Sequence, residues 1–394
     1  MPEAPLGDVT VVDFTHARAG PWCTEVLGEL GAEVLKIEPP GGDRNRDSHP
    51  KAGDTGLNFL GRYSNKQSIV IDLKDEEGRQ LAEDLLADAD VLVENFAPGV
   101  LDRLGLGWDY LHSEVNPELV YASIKGYGET GPYKNRKGVD LVMQAEGGIM
   151  SVTGPDGGPP VKVGQAIGDI GAGLYAVIGI VTALRRRDQT GRGQKFETDL
   201  FGTIVSFMEE YLTEYSITGE NPGPKGTRHQ TSVPYELFEV ADGHLAVRIT
   251  ESAWPEFVAE VLEAPDLLEY DSTEARQNHY EEIMAAMRPV MREHTIDEWT
   301  TRLDELGCPC GPLNEVSDVI EHPQARARGY VREYEDEHVG EVVLHGFPMH
   351  FSADETTFQS GPPRMGEHTD AILSRHLGLD AEDIDRLRGQ GTVE

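Results

Sequence analysis

Cysteine is scarce: the 394 residues hold three, Cys23, Cys308 and Cys310. An odd, sparse set builds no disulfide framework and fits a reducing cytoplasm. Cys308-Pro309-Cys310 stands too isolated for a four-coordinate zinc site, and no metal is expected. Basic residues are few as well. Lys and Arg total 34 against 70 Asp and Glu, a net charge of −36. That deficit argues against a nucleic-acid partner, because phosphate backbones are met by positive patches. No apolar run reaches the roughly 20 residues that cross a bilayer, and no signal-peptide pattern is seen, so neither membrane nor export is expected. The first turn is not G-x-G-x-x-G and no Walker-type loop occurs, which disfavours a dinucleotide fold of the usual kind and a P-loop NTPase.

What is present is a globular composition. Hydrophobic residues make 38% and 44 glycines accompany them. The length suffices for two domains. The acidic residues are spread along the chain and not gathered in a tail. Such a diffuse, lysine-poor acidic surface suits molar salt, where screening shortens repulsion to about 3 Å. A halophilic source is inferred.

Short apolar runs alternate with helical patterns. Strands are predicted at 9–14, 33–38, 68–73, 91–94, 119–124 and 194–199, with helices at 21–30, 76–87 and 200–217. This β-α alternation predicts an α/β fold, a doubly wound parallel sheet. Ligands of such sheets sit beyond the strands' carboxyl ends, so His16, Arg18, Asn95, Phe96 and Lys125 are expected near one another. Composition changes at 219–226, rich in Gly, Pro and Asn, which reads as a hinge. A smaller α+β domain follows, with strands around the Asp242-Gly243 turn and helices at 274–293 and 296–306. Strands at 339–344 and 349–351 and a terminal helix pair complete the chain.

The stretch Gly164-Gln165-Ala166-Ile167-Gly168-Asp169-Ile170-Gly171-Ala172-Gly173 carries one carboxylate among glycines, followed by a run apolar on every face that predicts a buried helix. Two readings of Asp169 stand. It is a helix N-cap, or it is a nucleophilic carboxylate. On the second reading Gly168, Gly171 and Gly173 leave room for a ligand, and the first-turn N–H groups hold an anion.

Several blocks together resemble the class III CoA-transferases. They are Val12-Asp13-Phe14-Thr15-His16 with Ala19-Gly20-Pro21, Gly31-Ala32-Glu33-Val34-Leu35-Lys36-Ile37-Glu38 and Val93-Glu94-Asn95-Phe96. Gly168-Asp169, Thr190-Gly191-Arg192-Gly193-Gln194, Cys310-Gly311-Pro312 and Gly366-Glu367-His368-Thr369-Asp370 follow in the family's order. The resemblance implies a Rossmann-like large domain at 1–220, a small domain at 225–328, and a segment at 329–394 that returns to the large domain. It also implies an obligate homodimer of interlocked chains. Asp169 aligns with the family's nucleophile. The CoA-binding positions align with His16, Ala17, Arg18, Ile71, Leu73, Asn95, Phe96, Arg103 and Lys137, and Asp140 takes the place of a second acidic residue. Acyl-CoA and a small carboxylic acid are the implied substrates, with no further cofactor.

Three departures matter. Pro39 replaces an arginine that contacts the adenine end. Arg18 replaces an active-site glutamine. Gly226-Thr227-Arg228-His229-Gln230 stands where a glycine-rich run is missing. These argue against oxalate and formate. Arg18 either grips the free carboxylate of a dicarboxylic acyl group, as its planar fork allows, or binds CoA phosphate. Lys225, Arg228 and His229 either assist it or are solvated linker residues. Succinyl-CoA as donor and a dicarboxylate such as mesaconate as acceptor are expected. A 2-methylacyl-CoA racemase is the alternative within the fold, but it needs an acid–base pair and Val139 stands where its histidine belongs. A non-catalytic acyl-CoA-binding protein is the alternative outside enzymes.

Overall fold

The computed structural model describes the chain except residues 1–3, 338, 355 and 357. The chain forms two compact units. The first comprises 1–149, 163–213 and 323–394, the second 150–162 and 214–322. Residues 150–162, expected within the large domain, therefore belong to the second unit.

The first unit is built on β1 (Thr10–Asp13), α1 (Ala19–Glu29), β2 (Glu33–Glu38), β3 (Lys66–Val70), α2 (Glu76–Ala87), β4 (Val91–Glu94) and β5 (Val120–Lys125). These are followed by α3 (Asp140–Glu146), α4 (Ile167–Thr190), β6 (Lys195–Asp199) and α5 (Leu200–Ser206); α6 (Glu209–Thr218) begins in the first unit and ends in the second. All six strands are parallel, in the order β3-β2-β1-β4-β5-β6. Chain direction across the sheet reverses between β1 and β4, which opens a crevice at their carboxyl ends. The central strands β1, β2, β4 and β5 are almost wholly buried, because both faces of the sheet are covered, whereas the edge strand β6 is only half-buried. Val11, Val34, Val91 and Val93 pack on one side with α1 and α4; Val12, Leu35 and Leu92 pack on the other with α2.

The helix predicted at 200–217 is two helices, α5 and α6, with a break at Phe207 and Met208. The helix α4 is not buried all round. Gly168, Ala172, Ala176 and Ile180 are buried, whereas Leu174, Tyr175, Ile178 and Val181 are exposed. Its 24 residues are long and apolar enough to span a bilayer, contrary to the expectation from apolar runs, and half of its most apolar window is buried in the fold.

The second unit holds an antiparallel sheet of β7 (Tyr235–Val240), β8 (Gly243–Arg248) and, after α7 (Thr273–Asn278), α8 (Tyr280–Met291) and α9 (Ile296–Glu305), β9 (Cys310–Pro312). Its core gathers Phe238, Leu245, Phe257, Met287 and Trp299. The chain then re-enters the first unit. The hairpin of β10 (Val331–Asp336) and β11 (Gly340–His345) ties to α1 through Arg332–Glu29 at 3.1 Å and His345–Glu25 at 3.5 Å. Residues 349–351, predicted as a strand, form none. The terminal pair α10 (Thr369–Leu377) and α11 (Ala381–Gln390) places Ile372, Leu373, Ile384 and Leu387 in the core.

Candidate active site

The loop after β1 is held from below by buried charge. Asp13 accepts from the Thr15 amide at 2.7 Å and hydroxyl at 2.6 Å, from Thr24 at 2.6 Å and from Lys66 at 3.1 Å. Burial alone would raise its pKa, but Lys36, Lys66 and the two hydroxyls outweigh that and hold it at about 2. Lys36 donates to the Thr15 carbonyl. Above this base the chain turns through Ala17, whose φ of 66° lies in the left-handed region. Such a conformation persists in a non-glycine residue only where its surroundings enforce it. Here Asn45 donates to the Ala17 carbonyl at 2.6 Å and to Tyr63 at 2.9 Å, and Tyr63 donates to Asp43 at 2.8 Å. The Arg62 guanidinium donates to the same carbonyl at 3.3 Å.

The loop after β4 meets the loop after β1. The Asn95 side chain accepts from the His16 amide at 2.9 Å and donates to its carbonyl at 2.7 Å. The rings of His16 and Phe96 lie 5.4 Å apart. Lys125 bridges Glu94 at 2.5 Å and the Phe96 carbonyl at 2.8 Å. His16, Asn95, Phe96 and Lys125 thus converge as the sheet topology requires. Burial and then Lys36 lower the His16 pKa, which favours its neutral imidazole.

A cavity of about 470 Å³ opens beside this loop, lined by Phe14, His16, Ile37, Ile71, Leu73 and Phe96. It is mainly apolar, and Arg44, Lys74 and Arg103 also line it. A ligand pocket of this size suits an organic molecule, and its cations suit phosphates. Pro39 lies in the same lining as Arg44, so a guanidinium stands at this mouth although position 39 lacks one. Of the expected CoA residues, His16, Ile71, Leu73, Phe96 and Arg103 face this cavity. Asn95 and Ala17 shape the loop beside it. Lys137 lies exposed outside its lining.

Asp169 is not part of the cavity lining, and neither is Arg18, which follows His16 and Ala17 on the loop after β1. Arg18 donates to the Gln165 side chain at 3.1 Å and acts electrostatically on Asp169, as does Arg62. Asp169 occupies the first turn of α4 and is not its N-cap. Ala166 holds that position, with no side-chain bond. The capping work falls to Asp140 of α3, which accepts from the Gly168 amide at 2.8 Å and from Gln144 at 2.7 Å. Two first-turn amides are therefore already bound, Gly168 by Asp140 and Ile167 by the Gln165 carbonyl at 2.9 Å. No anion site remains at those two.

The glycines serve fit and not ligand access. A Cβ on Gly171 would stand 2.6 Å from Thr203 and Phe207, and one on Gly173 would stand 2.7 Å from the Ala19 carbonyl. One on Gly168 would stand 3.1 Å from Asp140. The Asp169 carboxylate makes no hydrogen bond among the described residues. Burial, then Asp140, raise its pKa; Arg18 and Arg62 oppose them, and the result is about 6. The carboxylate is thus mostly ionised at pH 7, half-buried, and has unoccupied lone pairs. A poorly solvated carboxylate is a stronger nucleophile than one in water.

His229 lies in the second unit. Its ring stacks on Tyr235 at 4.8 Å and its Nδ1 accepts from the amides of Thr231 and Ser232 at 3.2 and 3.1 Å. Arg228 pairs with Asp156 at 3.0 Å. Both therefore have structural partners within that unit. Val139 is 62% exposed and precedes α3, with no proton to move. Sequence reasoning missed Arg62, Arg44 and Lys74. No periodicity marks them; the scarcity of cations in so acidic a chain was the one available signal. Among the described residues no group of three or more His, Cys, Asp or Glu is placed to hold a metal ion.

The family model of CoA-transferase family III matches residues 6–369. The chain is 34% identical to the human succinyl-CoA:glutarate CoA-transferase over 99% of its length and 90% of the relative's. It is 33% identical to the acetyl-CoA:oxalate CoA-transferase of Acetobacter aceti, covering 97% of this chain and 98% of the other. It is also 33% identical to the succinyl-CoA:mesaconate CoA-transferase of Haloarcula marismortui, covering 95% and 97%. Among solved structures, a CAIB/BAIF family protein from Brucella suis superposes with a TM-score of 0.85 at 33% identity, covering 95% of this chain and all of that one. The chain belongs to CoA-transferase family III and is an enzyme of that class. The relatives' names share the transfer of CoA and differ in the acid.

Proposed function

We propose that this enzyme moves CoA from succinyl-CoA to a second dicarboxylate, with mesaconate as the representative acceptor, through covalent intermediates on Asp169. The observation that carries the reading is Asp169 itself: ionised at neutral pH, half-buried, without a hydrogen-bond partner and beside Arg18.

An Asp169 oxygen attacks the acyl carbon of the donor thioester. The C–S bond breaks, CoA leaves as thiolate and a mixed anhydride forms. The thiolate attacks the aspartyl carbon of that anhydride, the C–O bond breaks, and the donor acid departs as carboxylate. This leaves an aspartyl-CoA thioester. The acceptor carboxylate attacks that thioester and expels thiolate, giving a second anhydride. Thiolate then attacks the acceptor's acyl carbon and frees Asp169. The cavity under His16 and Phe96, with Arg44, Lys74 and Arg103 at its lining, supplies remote binding for CoA that is used at the reacting centre. CoA thioesters are substrates, and the cycle needs no other cofactor.

The free carboxylate of the acyl group meets Arg18 on this reading. The relatives named for glutarate and mesaconate support a dicarboxylate, and the oxalate relative of equal identity keeps the acceptor open to direct measurement. The working form is a homodimer of interlocked chains in a salt-rich cytoplasm; the exposed apolar row of Leu174, Ile178 and Val181 supports association.

The test is exchange of labelled dicarboxylate into succinyl-CoA at high salt, paired with mass spectrometry of enzyme stopped in turnover. Wild type is expected to show a CoA adduct on the peptide holding Asp169. Asp169→Ala is expected to lose exchange and still bind CoA. Turnover retained by Asp169→Ala overturns the reading.

A further inference from the structure

Arginines in this structure are mostly matched to carboxylates. Arg46 pairs with Glu38, Arg187 with Asp90, Arg292 with Glu239 and Arg388 with Asp370. That is the expected state of a chain with 70 acidic and 34 basic residues, where each cation has several anions to choose from. Two half-buried arginines depart from it, and they flank the same carboxylate. Arg18 donates to the Gln165 amide oxygen at 3.1 Å. Arg62 donates to the Ala17 carbonyl at 3.3 Å and to the Asn58 amide oxygen. All these acceptors are neutral. Neither guanidinium has a carboxylate within ion-pair distance among the described residues. Arg62 stands under the electrostatic influence of Arg18, Glu25 and Asp169 without bonding to any of them.

Holding two guanidiniums together, partly desolvated and without an anion, is costly. Burial and then Arg18 lower the Arg62 pKa, which records that cost. A guanidinium carries five N–H donors, and the neutral acceptors use one on Arg18 and two on Arg62. The rest are available in the planar fork that fits a carboxylate. Because Arg62 is anchored to the Ala17 carbonyl, it is positioned by the same left-handed turn that carries Arg18.

We infer that Arg62 is a specificity-determining residue. With Arg18 it grips the remote carboxylate of a dicarboxylic acyl group while Asp169 attacks the other end. This rests on the transferase reading above and adds to it the second cation of the grip and the selection of two-headed over one-headed acids.

The experiment compares wild type, Arg62→Gln and Arg62→Lys as full-length enzyme. It measures kcat/KM for succinate, glutarate and mesaconate against acetate and butyrate as acceptors from succinyl-CoA, and the KM for CoA thioester. Loss of a charge-assisted contact made by one acid and not the other predicts a selective fall of about 10- to 100-fold for dicarboxylates with Arg62→Gln. Monocarboxylates should change little, and Arg62→Lys should recover part of the loss. A merely structural Arg62 would lower both classes alike, and that result overturns the inference while the transferase reading stands. A rise confined to the KM for CoA thioester, with the ratio of dicarboxylate to monocarboxylate acceptors unchanged, overturns it too. Wild type that passes CoA to no carboxylate overturns the transferase reading first. If Arg62→Gln does not fold, Arg62→Lys keeps the charge and reads the same ratio.

Discussion

A carboxyl with its pKa raised to about 6 changes charge close to working pH, and this gives Asp169 two measurable signatures. The first is kinetic. On the proposed mechanism the attacking species is the carboxylate, so exchange should fall as pH drops through about 6, one proton per site. A pH–rate profile of the free enzyme checks this; a limb set instead near pH 4 would mean the nucleophile is not Asp169 in this environment. The second is thermodynamic. The folded pKa lies above the ordinary aspartate value near 3.8, so the folded state holds its proton to higher pH than the unfolded one. Ionisation therefore destabilises the fold fully above about pH 6, and the penalty fades as pH falls toward 4. Asp169→Asn removes the charge and should raise stability at pH 7 by about 1–3 kcal/mol while exchange is lost. Denaturant titration reads the sign. Asp13 titrates in the opposite sense. Its carboxylate is held at about 2 by Lys36 and Lys66 against the cost of burial, so its contribution is present above pH 4 and is lost as pH falls toward 2.

At the scale of elements, α4 works through what its contact face lacks. Gly171 meets Thr203 and Phe207 where a Cβ would stand 2.6 Å away. Gly171→Ala would gain about 1 kcal/mol of helix propensity, but forcing a methyl into that contact costs about 1–3 kcal/mol. The clash is expected to win, and urea unfolding should show a net loss; a gain would mean α5 gives way freely. Much of this architecture was legible beforehand. The strand–helix alternation and the convergence of His16, Asn95 and Phe96 follow from apolar runs and the rule for parallel sheets. Other features were not. Asp169 next to glycines reads as a cap, because the true cap, Asp140, comes from a different helix and its role depends on tertiary packing. The break between α5 and α6 carries no Gly or Pro between Leu200 and Thr218 except Gly202, so no local signal marks it. Arg62 is separated from Arg18 by 44 positions, and only the fold puts both beside Asp169.

The whole molecule carries a net charge of −36, so its stability depends on its solvent. Raising salt from about 0.1 M to 1 M shortens the range of charge repulsion from about 10 Å to about 3 Å. Thermal unfolding should therefore shift upward with added KCl, by several degrees. A midpoint that is flat or falls with salt would remove the basis for assigning the protein to a salt-rich cytoplasm. The acidic surface also sharpens the meaning of the cations kept at the cavity and beside Asp169, since every unneutralised one draws anions through a repelling field.

The tight seat of α4 matters for anyone hunting the active site by random mutagenesis. Gly171 and Gly173 accept no side chain unless their neighbours shift, so a screen for lost activity will return weakened folds there beside variants of Asp169. Their neighbourhood will tempt an investigator to credit all of them with chemistry. Yield of soluble, folded material per clone is what tells a jammed helix from a missing nucleophile.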